Sequence, residues 1–251
     1  MANGCISIDR ILSRLDEFLH KNDYASAERH LLYWLSESIN NSDVKTELLV
    51  RNELMGLYRK LSRESEALEC VSAALCRIES ERISHQVGAA TTFLNAATVY
   101  KAFGRAEESL PLFIRAREVY ERELHANDGR LGGLYNNMAL TLVDLNRFSE
   151  ANELYAKAIE VMKITEKGAL EVAITYLNMA SAAEQEHGLL LADEKIQELL
   201  DKAEELLENH SPKDGYYAFV CEKCASVFGY YGRFVFENEL KKRSRRIYEG
   251  S

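Results

Sequence analysis

Three asparagines recur at a nearly constant spacing along the sequence: Asn95, Asn137 and Asn178, separated by 42 and 41 residues. An asparagine side chain carries a hydrogen-bond donor and an acceptor, so it can bind the N–H and C=O groups of an extended peptide. Asparagine is also a mediocre helix former, and its recurrence at one helical position therefore indicates a role for the side chain. Two roles fit the spacing. The amides form a row that binds a peptide, or each amide packs one repeat against the next.

Cys221 and Cys224 form the only Cys-x-x-Cys spacing in the chain. A structural zinc site needs four ligands, and the sequence offers no second pair nearby. A redox site of this kind follows a strand, which the helical context here does not provide. At i and i+3 of a helix the two side chains share one face, so we predict two buried thiols. Since no phosphate-binding loop, nucleophile elbow or zinc-protease motif occurs either, we expect a protein that is not an enzyme and that uses no metal or cofactor.

The elements that would position the asparagines are best defined in residues 135–158. Apolar side chains recur every three or four positions in 135–142 and again in 151–158, which is typical of one face of a helix. Asn146 and Arg147 interrupt the pattern between the two stretches. This stretch therefore predicts two helices joined by a tight turn, with alanines that allow the helices to approach closely.

The same pattern recurs along the whole chain at intervals of about 40 to 45 residues. Its turns fall at Asn22-Asp23, Ser62-Arg63, Asn146-Arg147, Gly104, Gly188 and Gly232. We expect Pro111 close to the start of a helix, where its missing N–H is least costly. None of the loops is long enough for an interdomain linker. We therefore predict a single domain, 1–251, with approximate repeats 8–47, 48–89, 90–131, 132–172, 173–217 and 218–251.

Leucine, tyrosine and small residues at these offsets resemble the tetratricopeptide repeat (TPR). The period of about 42 residues exceeds the usual 34 and resembles the long-helix class found in kinesin light chains and in bacterial regulatory proteins. The resemblance implies an all-α, right-handed α-solenoid of about six antiparallel helical hairpins. In such a superhelix the first helix of each hairpin lines a concave groove.

The resemblance also implies a peptide-binding site on those first helices, where Asn95, Asn137 and Asn178 would lie. Neighbouring positions one or two turns along the same helices would set specificity: Asn136, Thr98, Lys101, Leu140, Ser181 and Glu184. The equivalent of the recurrent asparagine is Ser13, Glu53 or Lys223 in the other copies, so any row of amides is confined to the central ones. The lining is mixed in charge, and the full set of basic residues with which some TPR proteins hold a chain-terminal carboxylate is absent.

The sixth copy departs from the pattern. Its last helix ends in the basic run 241–246, which complements the helix dipole, serves as a localisation signal, or binds an anionic partner, including the acidic body of another copy of the chain. Aromatic residues crowd the same copy, and they either close a final core or leave an apolar patch for self-association or for a partner domain. These residues are Tyr216, Tyr217, Phe219, Phe228, Tyr230, Tyr231, Phe234 and Phe236.

The composition is that of an ordinary globular protein, with 47% hydrophobic and 28% charged residues among 251. A formal net charge of −9 argues against non-specific binding of nucleic acid. No segment approaches the roughly 20 apolar residues that span a bilayer, and the first residues lack the pattern of a signal peptide. Five cysteines show no disulfide framework. We therefore expect a reduced, cytoplasmic protein that binds neither nucleic acid nor membranes.

These observations favour a non-enzymatic protein–protein interaction module that binds an extended peptide or a helix of a partner in the concave groove. The alternative is an oligomerisation or regulatory scaffold that uses its ends and convex face, with a possible homo-oligomer formed through the C-terminal repeat.

Overall fold

The computed structural model describes residues 7–165 and 168–250. Within these ranges the chain forms twelve α-helices and no strand, as the sequence pattern predicts. Each odd-numbered helix packs against the next one as a hairpin. The helices are α1 (Ile8–His20), α2 (Tyr24–Asn40), α3 (Val44–Lys60), α4 (Glu64–Ser80), α5 (Val87–Ala102), α6 (Ala106–Glu123), α7 (Gly129–Asp144), α8 (Phe148–Lys163), α9 (Gly168–His187), α10 (Leu189–Asn209), α11 (Gly215–Tyr230) and α12 (Phe234–Glu249).

The turns inside the hairpins fall where the sequence predicts them. Each has one residue with positive φ: Asn22, Ser62, Gly104, Asn146, Gly188 and Gly232. At Asn146 the following amide, Arg147 N–H, donates to Leu142 O at 2.8 Å, which closes the helix end with a backbone bond. Asparagine and glycine are favoured here because they enter the left-handed region at low cost.

The helices form two compact units, unit 1 with α1 to α6 and unit 2 with α7 to α12. In unit 1, the buried core includes Phe93, Phe113 and small residues such as Ala116. In unit 2 a continuous apolar cluster joins α9 to α12 and includes the fully buried Ile196 and Phe228. The continuity of all six repeats in one solenoid remains a prediction.

Two details differ from the sequence-based expectation. The first helices begin a few residues before the approximate repeat starts, at Val44, Val87, Gly129, Gly168 and Gly215. Pro111 lies inside α6 beyond the first turn, so the expected position at the helix start is wrong. A backbone N–H at this position would donate to the carbonyl of Glu107, and α6 lacks that bond.

Two ion-pair networks connect helices of unit 1. Glu47 is buried, and its carboxylate oxygens lie 3.0 Å from Arg51 Nε and 3.1 Å from Arg77 Nε. Glu28 lies 2.8 Å from Arg63 Nη1. That hydrogen bond lowers the pKa of Glu28 below its ordinary value.

In the last hairpin some of the crowded aromatic residues are buried and others are exposed. Tyr217, Phe228 and Phe236 are buried, whereas Phe219, Tyr230 and Phe234 are exposed. A side chain at Gly229 would collide with the carboxylate of Glu237 on α12 unless that flexible side chain moved. No helix in the described ranges combines the length and the apolar character that crossing a bilayer requires.

Candidate functional site

The first helices α3 and α5 of unit 1 enclose a cleft of about 460 Å³ together with the turn that joins α4 to α5. Leu48 and Leu49 of α3, Ile83 of the turn and Ala89 of α5 give it an apolar lining. Polar groups lie along the same two helices. A mainly apolar cleft with a few polar groups is typical of ligand-binding sites.

Asn52 lines this cleft, and its side chain has an unused acceptor. Its Nδ2 donates to Thr92 Oγ1 at 3.2 Å, and the Thr92 hydroxyl donates to Gly88 O at 3.3 Å. The amide is therefore oriented with Oδ1 away from Thr92. Within the described residues Oδ1 is buried and has no hydrogen-bond partner. Buried polar atoms without a partner are rare in folded proteins.

Glu53 adds a half-buried carboxyl group next to Asn52. Desolvation raises its pKa above the ordinary value, and the negative charge of Asp16 on α1 raises the pKa further. No cation or hydrogen bond in the described part of the chain counters these two effects. The carboxyl group is thus partly dehydrated without a compensating positive charge.

Asn95, the first of the recurrent asparagines, is half-buried and lines the same cleft from α5. Sequence reasoning aligned it with Glu53 and left Asn52 out of the candidate site. The interval from Asn52 to Asn95 is 43 residues, close to the 42 and 41 that follow, so the spacing alone held a signal for Asn52.

In unit 2 the asparagines connect neighbouring first helices. Asn178 Nδ2 on α9 donates to Asn136 Oδ1 on α7 at 3.1 Å. Asn137 instead donates to Gly133 O of its own helix at 2.9 Å. The structure therefore brings Asn136 and Asn178 together, whereas Asn95 lies in the other unit.

Glu184, another predicted groove residue, connects α9 to α11. Its carboxylate accepts hydrogen bonds from Tyr230 Oη at 2.7 Å and Tyr231 Oη at 2.8 Å. The hydrogen bond that Tyr230 donates to Glu184 raises the pKa of Tyr230. In the first turn of α9, the Glu171 carboxylate accepts a hydrogen bond from Tyr216. These contacts use aromatic side chains that the sequence left unassigned.

The remaining predicted groove residues are spread over both units. Thr98 and Ser181 donate to carbonyl groups one turn back in their own helices, at 2.8 and 3.3 Å. Leu140 is half-buried on α7, and Lys101 is half-buried on the last turn of α5.

The Cys-x-x-Cys pair is buried, as predicted. Both thiols are free, and burial raises the pKa of Cys221 and raises that of Cys224 to about 12. Such thiols are poor nucleophiles and poor metal ligands. In the described ranges no three histidine, cysteine, aspartate or glutamate side chains cluster as metal ligands would.

The basic run of α12 is partly used inside unit 2. Lys241 Nζ lies 2.6 Å from Glu237, and Arg243 contacts Glu208 at 2.7 Å and Glu239 at 3.1 Å. These ion pairs support a structural role for part of the run.

Comparison with known proteins agrees with this architecture. Residues 88–164, which cover nearly all of α5 to α8, match the family model described as Tetratricopeptide repeat. The crystal structure of BtubC (BKLC) from P. vanneervenii superposes with a TM-score of 0.69 at 17% identity, over 82% of each chain. A putative kinesin light chain from Podosopora anserina with nearly identical TPR-like repeats superposes with a TM-score of 0.56 at 15% identity, over 81% of this chain and 95% of that chain. No curated protein matches the chain in sequence.

The predicted resemblance to TPR proteins is therefore confirmed, and the segment 88–164 is a tetratricopeptide repeat segment. The structural neighbours include a kinesin light chain-like repeat protein, as the long period indicates. At these low identities the superpositions show the fold alone. TPR proteins as a class are interaction modules that bind other proteins.

Proposed function

We propose that the chain is a non-enzymatic protein–protein interaction module that binds an extended peptide, or a helix, of a partner protein in the cleft between α3 and α5. The cleft in unit 1 is the observation that carries this proposal. It lies on the first helices of consecutive hairpins, which form the binding surface of stacked helical repeats.

The contacts of the asparagines support different roles in the two units. In unit 2 one amide N–H of Asn178 is already used by Asn136, which favours packing between hairpins. In unit 1 the Asn52 oxygen has no partner among the described residues, and Asn95 lines the same cleft. We therefore assign peptide binding to unit 1, with packing as the first role of the unit 2 asparagines.

Free, buried thiols are also compatible with a reducing compartment, and we propose a cytoplasmic location on that basis.

Gly88 offers a direct test of the cleft. A Cβ atom at this position would meet no other atom within 4 Å, so Gly88→Phe places a ring in the cleft without a backbone clash. Gly56→Phe is the matched control, because Gly56 is also a helical glycine with open space around it and does not line the cleft. Both changes replace glycine within a helix, so their effects on helix propensity are similar.

The assay is selection of random peptides displayed on phage against the full chain. Binding of the selected peptides is then measured by fluorescence anisotropy. We expect Gly88→Phe to weaken binding at least about tenfold, or 1.4 kcal/mol, and Gly56→Phe to leave it unchanged. Equal affinities of both variants for every selected peptide would contradict binding in the cleft.

A scaffold role is the second candidate, and exposed apolar residues at the turns of the last two hairpins favour it. Leu190, Leu191 and Val235 are 92%, 86% and 87% exposed. Size-exclusion chromatography with light scattering would reveal self-association. If these residues cause it, the double variant Leu190→Asp, Val235→Asp is a monomer at concentrations where the wild-type chain is not.

A further inference from the structure

We propose that the segment bound in the unit 1 cleft carries a basic side chain, arginine or lysine, which pairs with Glu53, while Asn52 Oδ1 accepts a hydrogen bond from the same segment. This inference rests on the proposed function of the cleft and specifies the chemistry of the ligand.

The charges around the cleft are the first support. Its lining includes the carboxylates of Glu53 and Glu81 and one basic group, Lys45. Asp16 on α1 lies near enough to act on Glu53 and adds a further negative charge. Because Arg77 already pairs with Glu81 at 3.1 Å, the balance is set by Glu53 and Asp16 against Lys45, and this excess of negative charge attracts a cationic ligand group.

The state of Glu53 is the second support. Its carboxyl group is partly dehydrated, and no cation in the described residues compensates for the lost hydration. Burial of a charge is unfavourable unless the charge is paired. An incoming guanidinium or ammonium group supplies that pair, whereas an acidic ligand would add a third repulsive charge beside Asp16.

Asn52 gives independent support, because its unused group is an acceptor. The Thr92 hydroxyl proton is taken by Gly88 O, so Thr92 can only accept from the Asn52 amide, and Oδ1 is the atom left over. Arginine and lysine side chains carry donors and no acceptors, and a peptide backbone N–H is also a donor. Asn52 Oδ1 and the Glu53 carboxylate therefore both favour a ligand group that donates hydrogen bonds and carries a positive charge.

The apolar lining fits such a side chain as well. Leu48, Leu49 and Ala89 lie in the same cleft as Glu53. Lysine and arginine bury their methylene stems along apolar surface while the charged head reaches a polar group. An extended segment with a basic residue can thus contact both parts of the lining.

The test is the composition of the peptides selected by the full chain. Random 12-residue peptides are selected in parallel on the wild-type chain, on Glu53→Gln and on Glu118→Gln. Glu118 is exposed on α6 and does not line the cleft, so it is the matched control for loss of one carboxylate. Thermal unfolding of each variant checks that it is folded.

We expect arginine and lysine to be enriched over aspartate and glutamate on the wild-type chain and on Glu118→Gln, and the enrichment to disappear on Glu53→Gln. For the strongest peptide, replacement of its basic residue by citrulline or norleucine leaves the protein untouched, and it should weaken binding about tenfold or more.

The outcomes separate this inference from the proposed function. Peptides that lose affinity for Gly88→Phe but show no basic preference would overturn the inference and leave the cleft as a binding site. The same holds if Glu53→Gln selects and binds the basic peptides as well as the wild-type chain does. Selected peptides that bind Gly88→Phe and Gly56→Phe equally would overturn both proposals.

Discussion

The hydrogen bond between Asn178 and Asn136 predicts a measurable coupling between α9 and α7. Asn178 Nδ2 and Asn136 Oδ1 are 3.1 Å apart, and both side chains are half-buried. Replacing either asparagine by alanine removes this bond. It also introduces a better helix former at each position, so the single variants mix two effects of opposite sign.

The magnitude follows from these two effects. A neutral hydrogen bond contributes about 1 kcal/mol to the free energy of unfolding. The change from asparagine to alanine in a helix raises the free energy of unfolding by about 0.6 kcal/mol, because alanine is the better helix former. We therefore expect Asn178→Ala to lower the free energy of unfolding by only about 0.4 kcal/mol. Asn137→Ala should raise it by about 0.5 kcal/mol, because Asn137 bonds only the carbonyl of Gly133 in its own helix.

A double-mutant cycle isolates the bond. The helix propensities cancel between the single and double variants, so the cycle of Asn136→Ala and Asn178→Ala should give a coupling energy of about 1 kcal/mol. Urea unfolding followed by circular dichroism measures each corner of the cycle. The cycle of Asn137→Ala and Asn178→Ala is the control and should be additive within about 0.5 kcal/mol.

A coupling energy below about 0.5 kcal/mol for the Asn136–Asn178 pair would refute the packing role, because distant independent sites show residuals of that size. If the control cycle coupled as strongly as the bonded pair, the hydrogen bond would not be the cause.

Three further predictions concern unit 1. Glu47→Ala leaves the partly buried guanidinium groups of Arg51 and Arg77 without their shared carboxylate, so it should lower the free energy of unfolding by about 3 kcal/mol in urea titrations. A decrease of less than about 1 kcal/mol would contradict this ion-pair network. Glu28 has a lowered pKa in the folded chain, so its pairing with Arg63 stabilises the fold above the ordinary carboxyl pKa, and that contribution disappears as the pH falls through the folded value. The free energy of unfolding of the wild-type chain should thus exceed that of Glu28→Gln by up to about 1 kcal/mol at pH 7, and this difference should vanish in acid. A difference in the free energy of unfolding that does not change with pH would exclude this linkage. Pro111→Ala restores a backbone donor to the carbonyl of Glu107 in α6, so thermal unfolding should occur at a higher temperature. An unchanged or lower transition temperature would show that the restored bond does not stabilise α6.

The helical hairpins could be predicted from the sequence because local signals define them. Apolar residues recur with the helical period, and residues such as Asn146 and Gly104 adopt the positive φ that a tight turn needs. The predicted position of Pro111 was wrong because α6 continues through the proline. Packing of the neighbouring apolar side chains, including the buried Leu112 and Phe113, stabilises α6 although one backbone hydrogen bond is missing.

The site was only partly predictable, because its chemistry depends on which amide groups already have partners. The spacing of Asn95, Asn137 and Asn178 is regular, yet each side chain has a different environment. Asn52 lies one position away from the aligned register, and its unused oxygen follows from the orientation imposed by Thr92. Sequence periodicity contains no information about such rotamers.

The location of a bound peptide is the most direct test of the proposed function. The measurement is a crystal structure of the full chain with the strongest peptide selected against it. We predict peptide density along α3 and α5, with a basic side chain beside Glu53 and a donor next to Asn52 Oδ1. Density confined to the second helices α4 and α6, or to unit 2, would contradict the assignment of the cleft as the binding site.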